Sequence, residues 1–67
     1  MKEYRCYFLN RRGGIGDVVE FLSVDDDGAE KVAREHFERQ NDYPSFEIWE
    51  KARLVFREIV GSQAARG

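Results

Sequence analysis

One thiol and one imidazole, Cys6 and His36, are the pair in this sequence whose types could carry nucleophilic chemistry. A cysteine becomes a nucleophile when a neighbouring base or positive charge favours its thiolate. Cys6 falls in an apolar, aromatic run (Tyr-Arg-Cys-Tyr-Phe-Leu), and His36 falls on the apolar stripe of the most regular helical segment. A helix laid over that run could bring the two together. The competing reading makes Cys6 a small buried hydrophobe and His36 a partly buried helix residue. No orienting residue and no oxyanion loop accompanies the pair, so the expectation is a protein with no catalytic residue.

Two further stretches suggest ligands. Arg12-Gly13-Gly14-Ile15-Gly16 has the composition of a phosphate loop. Such loops lead from a strand into a helix N-terminus, and this one lies between two strand-like segments with neither glycine spacing met. A hairpin turn is the expectation, with Arg11 and Arg12 as loop charges. Asp25-Asp26-Asp27-Gly28 resembles the start of a calcium loop, but Arg34 then falls where a bidentate glutamate is required. Helix capping accounts for these aspartates better. A zinc site would need about four ligands, and Cys6 and His36 are the soft candidates. No metal or cofactor is expected.

The elements that must position these residues follow from periodicity. Residues 3–9 read as a strand with Tyr4, Cys6 and Phe8 on one face and Arg5, Tyr7 and Leu9 on the other. A glycine-rich turn over 10–16 leads to a returning strand over 17–24. From about 27 to 40, Ala29, Val32, Ala33, His36 and Phe37 recur at i, i+3, i+4, i+7 and i+8, the stripe of an amphipathic helix. Glu30–Arg34 and Glu35–Arg39 are i,i+4 pairs on its exposed side; Asp25-Asp26-Asp27 supplies the N-cap, and Asp27 with Glu30 resembles a capping box. Asn41-Asp42-Tyr43-Pro44 ends it. Residues 46–60 fit two patterns: one apolar helical face, or two strands flanking Lys51-Ala52-Arg53.

The Tyr-Arg-Cys-Tyr-Phe-Leu strand, Ile15, Asp25-Asp26-Asp27-Gly28-Ala29 and Phe46-Glu-Ile-Trp-Glu-Lys-Ala-Arg-Leu-Val55 resemble a family of small uncharacterised bacterial proteins. Those proteins open with a Tyr-x-Cys-Tyr-Phe-type strand and close with Glu-(Ile/Leu)-Trp-x-Gly-x-Arg-x-Val. The resemblance runs to about Glu58 and rests on apolar, structural positions, so it implies a fold and no activity. A glycine in the second turn implies a hairpin there; Lys51 stands in its place here. The resulting expectation is an α+β domain, β-β-α-β-β, with one antiparallel sheet and one helix on one face. A β-β-α-α chain with a C-terminal helix is the alternative. The domain should span 1–61, with 62–67 a loose tail.

Size and charge bound the function. A chain of 67 residues is room for one domain, and its core is small, since such a chain buries only roughly 60% of its unfolded surface. With one cysteine, an intramolecular disulfide is impossible, which leaves self-association as the expected support. Eleven Lys and Arg against 13 Asp and Glu give a net charge of −2, weak attraction for nucleic acid or anionic membranes. The charged N-terminus does not read as a signal peptide, no run reaches membrane-spanning length, and the lone thiol suggests the cytoplasm. Tyr4, Tyr7, Phe8, Phe21, Phe46, Trp49 and Phe56 lie on expected strands, more aromatic surface than one helix can cover. The expected function is therefore a non-enzymatic interaction module. A homodimer is the first choice and another protein the second, with Tyr7, Leu9 and Trp49 at the interface. A thiol-dependent enzyme or ligand binder using Cys6 and His36 is the alternative, and single-stranded nucleic acid on the aromatic sheet is the weaker one.

Overall fold

The alternation of Tyr4, Cys6 and Phe8 with Arg5, Tyr7 and Leu9 produces the central element, strand β1 (Lys2–Leu9). A computed structural model describes residues 1–40 and 42–59 of the chain. The remaining elements are β2 (Ile15–Ser23), helix α1 (Asp26–Glu38), β3 (Ser45–Glu50) and β4 (Arg53–Ile59). All strand pairs are antiparallel, in the order β2-β1-β3-β4. The architecture is the expected α+β arrangement, and the last third is a hairpin, not a helix. The tail expected over 62–67, and the end of the domain at 60–61, lie outside the described residues.

The hairpin turn is Lys51-Ala52, with Lys51 in the left-handed region at φ 56. Its strands lack clean alternation because the register shifts between Ile48 and Trp49. Phe56 pairs with Ile48 and Leu54 with Trp49, so Val55 is the extra residue of a bulge. Val55 and Phe56 both pack against the core although they are consecutive.

The core comprises Tyr4, Cys6 and Phe8 of β1, Phe46 and Ile48 of β3, and Ala29 and Ala33 of α1. The two alanines are wholly buried, which lets the helix backbone come close to the sheet. Phe37 continues this side of the helix, its ring 4.8 Å from Phe46 and 6.4 Å from Phe8. Arg34 lies 5.5 Å from the Phe56 ring and reaches Glu30 at 3.0 Å and Glu58 at 3.4 Å. Tyr43 stacks on Phe8 at 6.2 Å, and its hydroxyl donates to the Gly16 carbonyl at 3.1 Å. A Cβ on Gly16 would come within 2.2 Å of the Tyr43 ring. Tyr43 therefore adds to the face that already carries the core.

The aspartate run caps the helix as expected, through its first member. Asp25, not Asp27, is the N-cap, its Oδ1 accepting from the Gly28 amide at 2.8 Å. This corrects the Asp27–Glu30 capping box. The close turn that sets it has Ser23 donating to the Asp25 carbonyl at 3.1 Å. Gly28 approaches so near that a Cβ there would lie 2.5 Å from the Ser23 hydroxyl.

Candidate functional site

Cys6 sits in the middle of the sheet, with Val19 and Ile48 as cross-strand neighbours, and is fully buried. Burial pushes its thiol up to about 12 from an ordinary 9.0, the reverse of what a nucleophile needs. His36 is exposed in the last turn of α1. The stripe that meets the sheet is Ala29, Ala33 and Phe37, and the imidazole turns away from it. The partly buried position expected for His36 is thus corrected. With the thiol sealed and the imidazole in water, the two do not form a catalytic pair.

The glycine-rich turn is organised from within. Asn10 Oδ1 accepts from the amides of Arg12 at 2.9 Å and Gly14 at 3.0 Å, and the Gly13 amide donates to the Asn10 carbonyl at 2.9 Å. Gly13 takes φ 86, as this turn requires. Amides that would hold a phosphate are already engaged. The aspartate run is likewise occupied. Asp25 caps the helix, and Asp26 accepts from the Tyr4 hydroxyl at 2.8 Å and from both terminal nitrogens of Arg53 at 3.1 Å. Arg53 also donates to Glu50 at 2.7 Å. Hydrogen bonds from Arg53 and Tyr4 lower the Asp26 carboxyl, and those to Asp26 and Glu50 raise the Arg53 guanidinium. This cluster ties the helix start to β1 and β4. Sequence reasoning missed it, because nothing local pairs Tyr4 and Arg53 with a residue of the cap.

The other face of the sheet gathers the three expected interface residues. Arg5 lies in register with Glu20 on one side and Trp49 on the other, and Tyr7 with Val18 and Glu47. Leu9 lies beside Ser45. Tyr7, Leu9 and Trp49 are half-buried, while Val18, Leu22 and Leu54 around them are 45%, 56% and 40% exposed. Two ion pairs cross this face, Arg5–Glu20 at 3.0 Å and Arg57–Glu47 at 2.8 Å. The Trp49 indole N–H donates to Glu47 at 3.0 Å, which fixes the ring against the sheet. Arg5 is held above its ordinary range by a hydrogen bond with Tyr7 and by the charge of Glu20. An open depression of about 520 Å³ lies at one end, lined by Glu3, Arg5, Glu20, Leu22 and Lys51 and by Tyr4 and Phe21, whose side chains belong to the core side. No helix among the described residues is long and apolar enough to cross a membrane.

No known protein family, curated protein or solved structure matches this chain.

Proposed function

We propose that the protein is a non-enzymatic interaction module that works through the outer face of its sheet, with a second copy of itself as the partner. The observation that carries this reading is the composition of that face. Tyr7, Leu9 and Trp49 form its centre, and exposed Val18, Leu22 and Leu54 surround them. Aromatic residues at the centre of a patch with paired charges around them are the usual make-up of a protein interface. The core side is served by Ala29, Ala33, Phe37 and Tyr43, and none of these reaches the outer face.

The thiol-enzyme alternative loses its support with Cys6 sealed and His36 in solvent. Nucleic-acid binding fits less well, because Arg5 and Arg57 on this face are each neutralised by a carboxylate. Sedimentation between about 10 µM and about 1 mM, a range suited to a small interface, tests the proposal. The wild-type mass should rise with concentration. Trp49→Glu should abolish the rise while leaving the helix signal in circular dichroism intact, and Leu22→Glu, at a more exposed site, should weaken it. A wild-type chain that stays monomeric throughout, or a Leu22→Glu variant that associates like the wild type, would refute the reading.

A further inference from the structure

We infer that Asp17 guards the free edge of β2 against pairing with the same strand of a second copy; the inference is independent of the function proposed above. β2 is an outer strand of the sheet, so one side of its backbone faces β1 and the other faces away from the sheet. An open edge is a template for another strand, and sheets blunt it with a bulge, a proline, a lysine or another charged side chain. The opposite edge has such a device, because the bulge at Val55 breaks the regularity of β4. From Asp17 to Ser23, β2 pairs with β1 without interruption and contains no proline, lysine or arginine. Val18 and Leu22 are exposed along it.

The register shows which backbone groups face outward. The Asn10 amide donates to the Gly14 carbonyl at 2.8 Å, so that pair is a hydrogen-bonded one. Hydrogen-bonded and non-hydrogen-bonded pairs alternate along an antiparallel ladder. Leu9–Ile15 is therefore non-hydrogen-bonded, Gly16 and Asp17 share Phe8 in a bulge, and Tyr7–Val18 is again non-hydrogen-bonded. Arg5–Glu20 and Glu3–Leu22 follow in the same phase. Val18, Glu20 and Leu22 thus turn both N–H and C=O to the free edge. The Val18 N–H agrees with this count, since it donates to Asp17 Oδ1 at 2.9 Å.

That contact closes the pairing that fits the strand best. Centred on Val19, two antiparallel copies of β2 overlap over all nine residues. The Val18 amide of each copy must then donate to the Glu20 carbonyl of the other. Asp17 already holds that amide, and its carboxylate sets an oxygen against the incoming carbonyl. A pairing centred on Val18 needs the same amide. One centred on Glu20 puts the two glutamates side by side, and one centred on Phe21 puts Asp17 opposite Asp25.

Amide hydrogen exchange, read residue by residue, tests the guard. In the wild type the Val19 and Phe21 amides, which face β1, should exchange slowly, and those of Glu20 and Leu22 fast at every concentration. Association through the outer face leaves that pattern unchanged. Asp17→Ala and Asp17→Val carry no acceptor for the Val18 amide. In both, the Glu20 and Leu22 amides should slow at least roughly threefold between about 10 µM and about 1 mM, as the sedimenting mass rises. Asp17→Asn keeps the Oδ1 acceptor and should behave as the wild type. Glu20 and Leu22 amides that stay fast in both the Ala and Val variants, or an Asn variant that pairs as they do, would overturn the inference. So would loss of slow exchange at Val19 and Phe21 in both, because Asp17 would then support the fold and not guard its edge.

Discussion

Alkaline pH should unfold this protein through Cys6. The thiol lies between Val19 and Ile48 with no exposed surface, and burial pushes it up to about 12 from 9.0. Below pH 9 it is protonated in both folded and unfolded chains and has no effect on the equilibrium. Above that value the unfolded chain ionises and the folded one does not, so stability falls as pH rises, until the folded thiol itself ionises. Each unit in that window costs about 1.4 kcal/mol. At pH 10 the loss is therefore about 1.4 kcal/mol, against a total stability of roughly 3–10 kcal/mol for a domain of this size. Tyr4, raised to about 12 by burial and by Asp26 from an ordinary 10.0, adds its own loss only above pH 10, so the interval from 9 to 10 isolates the cysteine. Urea midpoints followed by far-ultraviolet circular dichroism across that interval give the slope. Cys6→Ala should lower stability by about 1 kcal/mol below pH 9 through the small cavity left behind, and should remove the slope, so that the two curves converge as pH rises toward 10. Parallel curves for the two proteins between pH 8 and 10 would show that the thiol is solvated, and the sealed-cysteine argument would fail.

At the acid end the sign reverses for Asp26. Hydrogen bonds from Arg53 and Tyr4 depress its carboxyl below the ordinary 3.8, so its contribution is present above that value and lost as pH falls through the folded one; Asp26→Asn should flatten the acid limb of stability against pH, and an unchanged limb would show that the cluster is not formed in solution. Lys51 occupies the left-handed region at φ 56, so Lys51→Gly should raise stability by about 0.5–1 kcal/mol, read as a higher thermal midpoint; a lower one would mean that the turn is not strained.

The sequence made some elements readable and concealed others for physical reasons. The helix stood out because Ala29, Val32, Ala33 and Phe37 repeat at its period, and β1 because Tyr4, Cys6 and Phe8 alternate. His36 shared the stripe in sequence yet lies in water, because the helix approaches the sheet along the narrow seam of Ala29 and Ala33. The last third resisted periodicity because a bulge displaces Val55, and a strand with one extra residue imitates a helical face. The pleat separated Tyr7 and Leu9 from Tyr4, Cys6 and Phe8, and Trp49 from Phe46 and Ile48, but which side the helix takes was not legible. Apolar residues occupy both faces, and the choice depends on Phe37 and Tyr43 meeting Phe8 across the fold. The Asp26–Tyr4–Arg53 cluster was hidden altogether, since its members are 22 and 27 residues apart.

The bare face follows from the size of the parts. A helix of 13 residues is about 20 Å long and about 10 Å wide, enough for a strip along one side of a four-stranded sheet and no more. The longest aromatic side chains near it, Phe37 and Tyr43, widen that strip but on the same side. A sheet with apolar residues on both faces needs a layer on each. Among the described residues, one side has such a layer. A second copy laid on that face, as proposed above, would supply the other, giving four layers in the order helix, sheet, sheet, helix. In that arrangement the sheets pack with their strands roughly aligned, as twisted sheets do when they meet face to face. Trp49, half-buried in one copy and held against Glu47 at 3.0 Å, would then become part of a core that neither copy can complete alone.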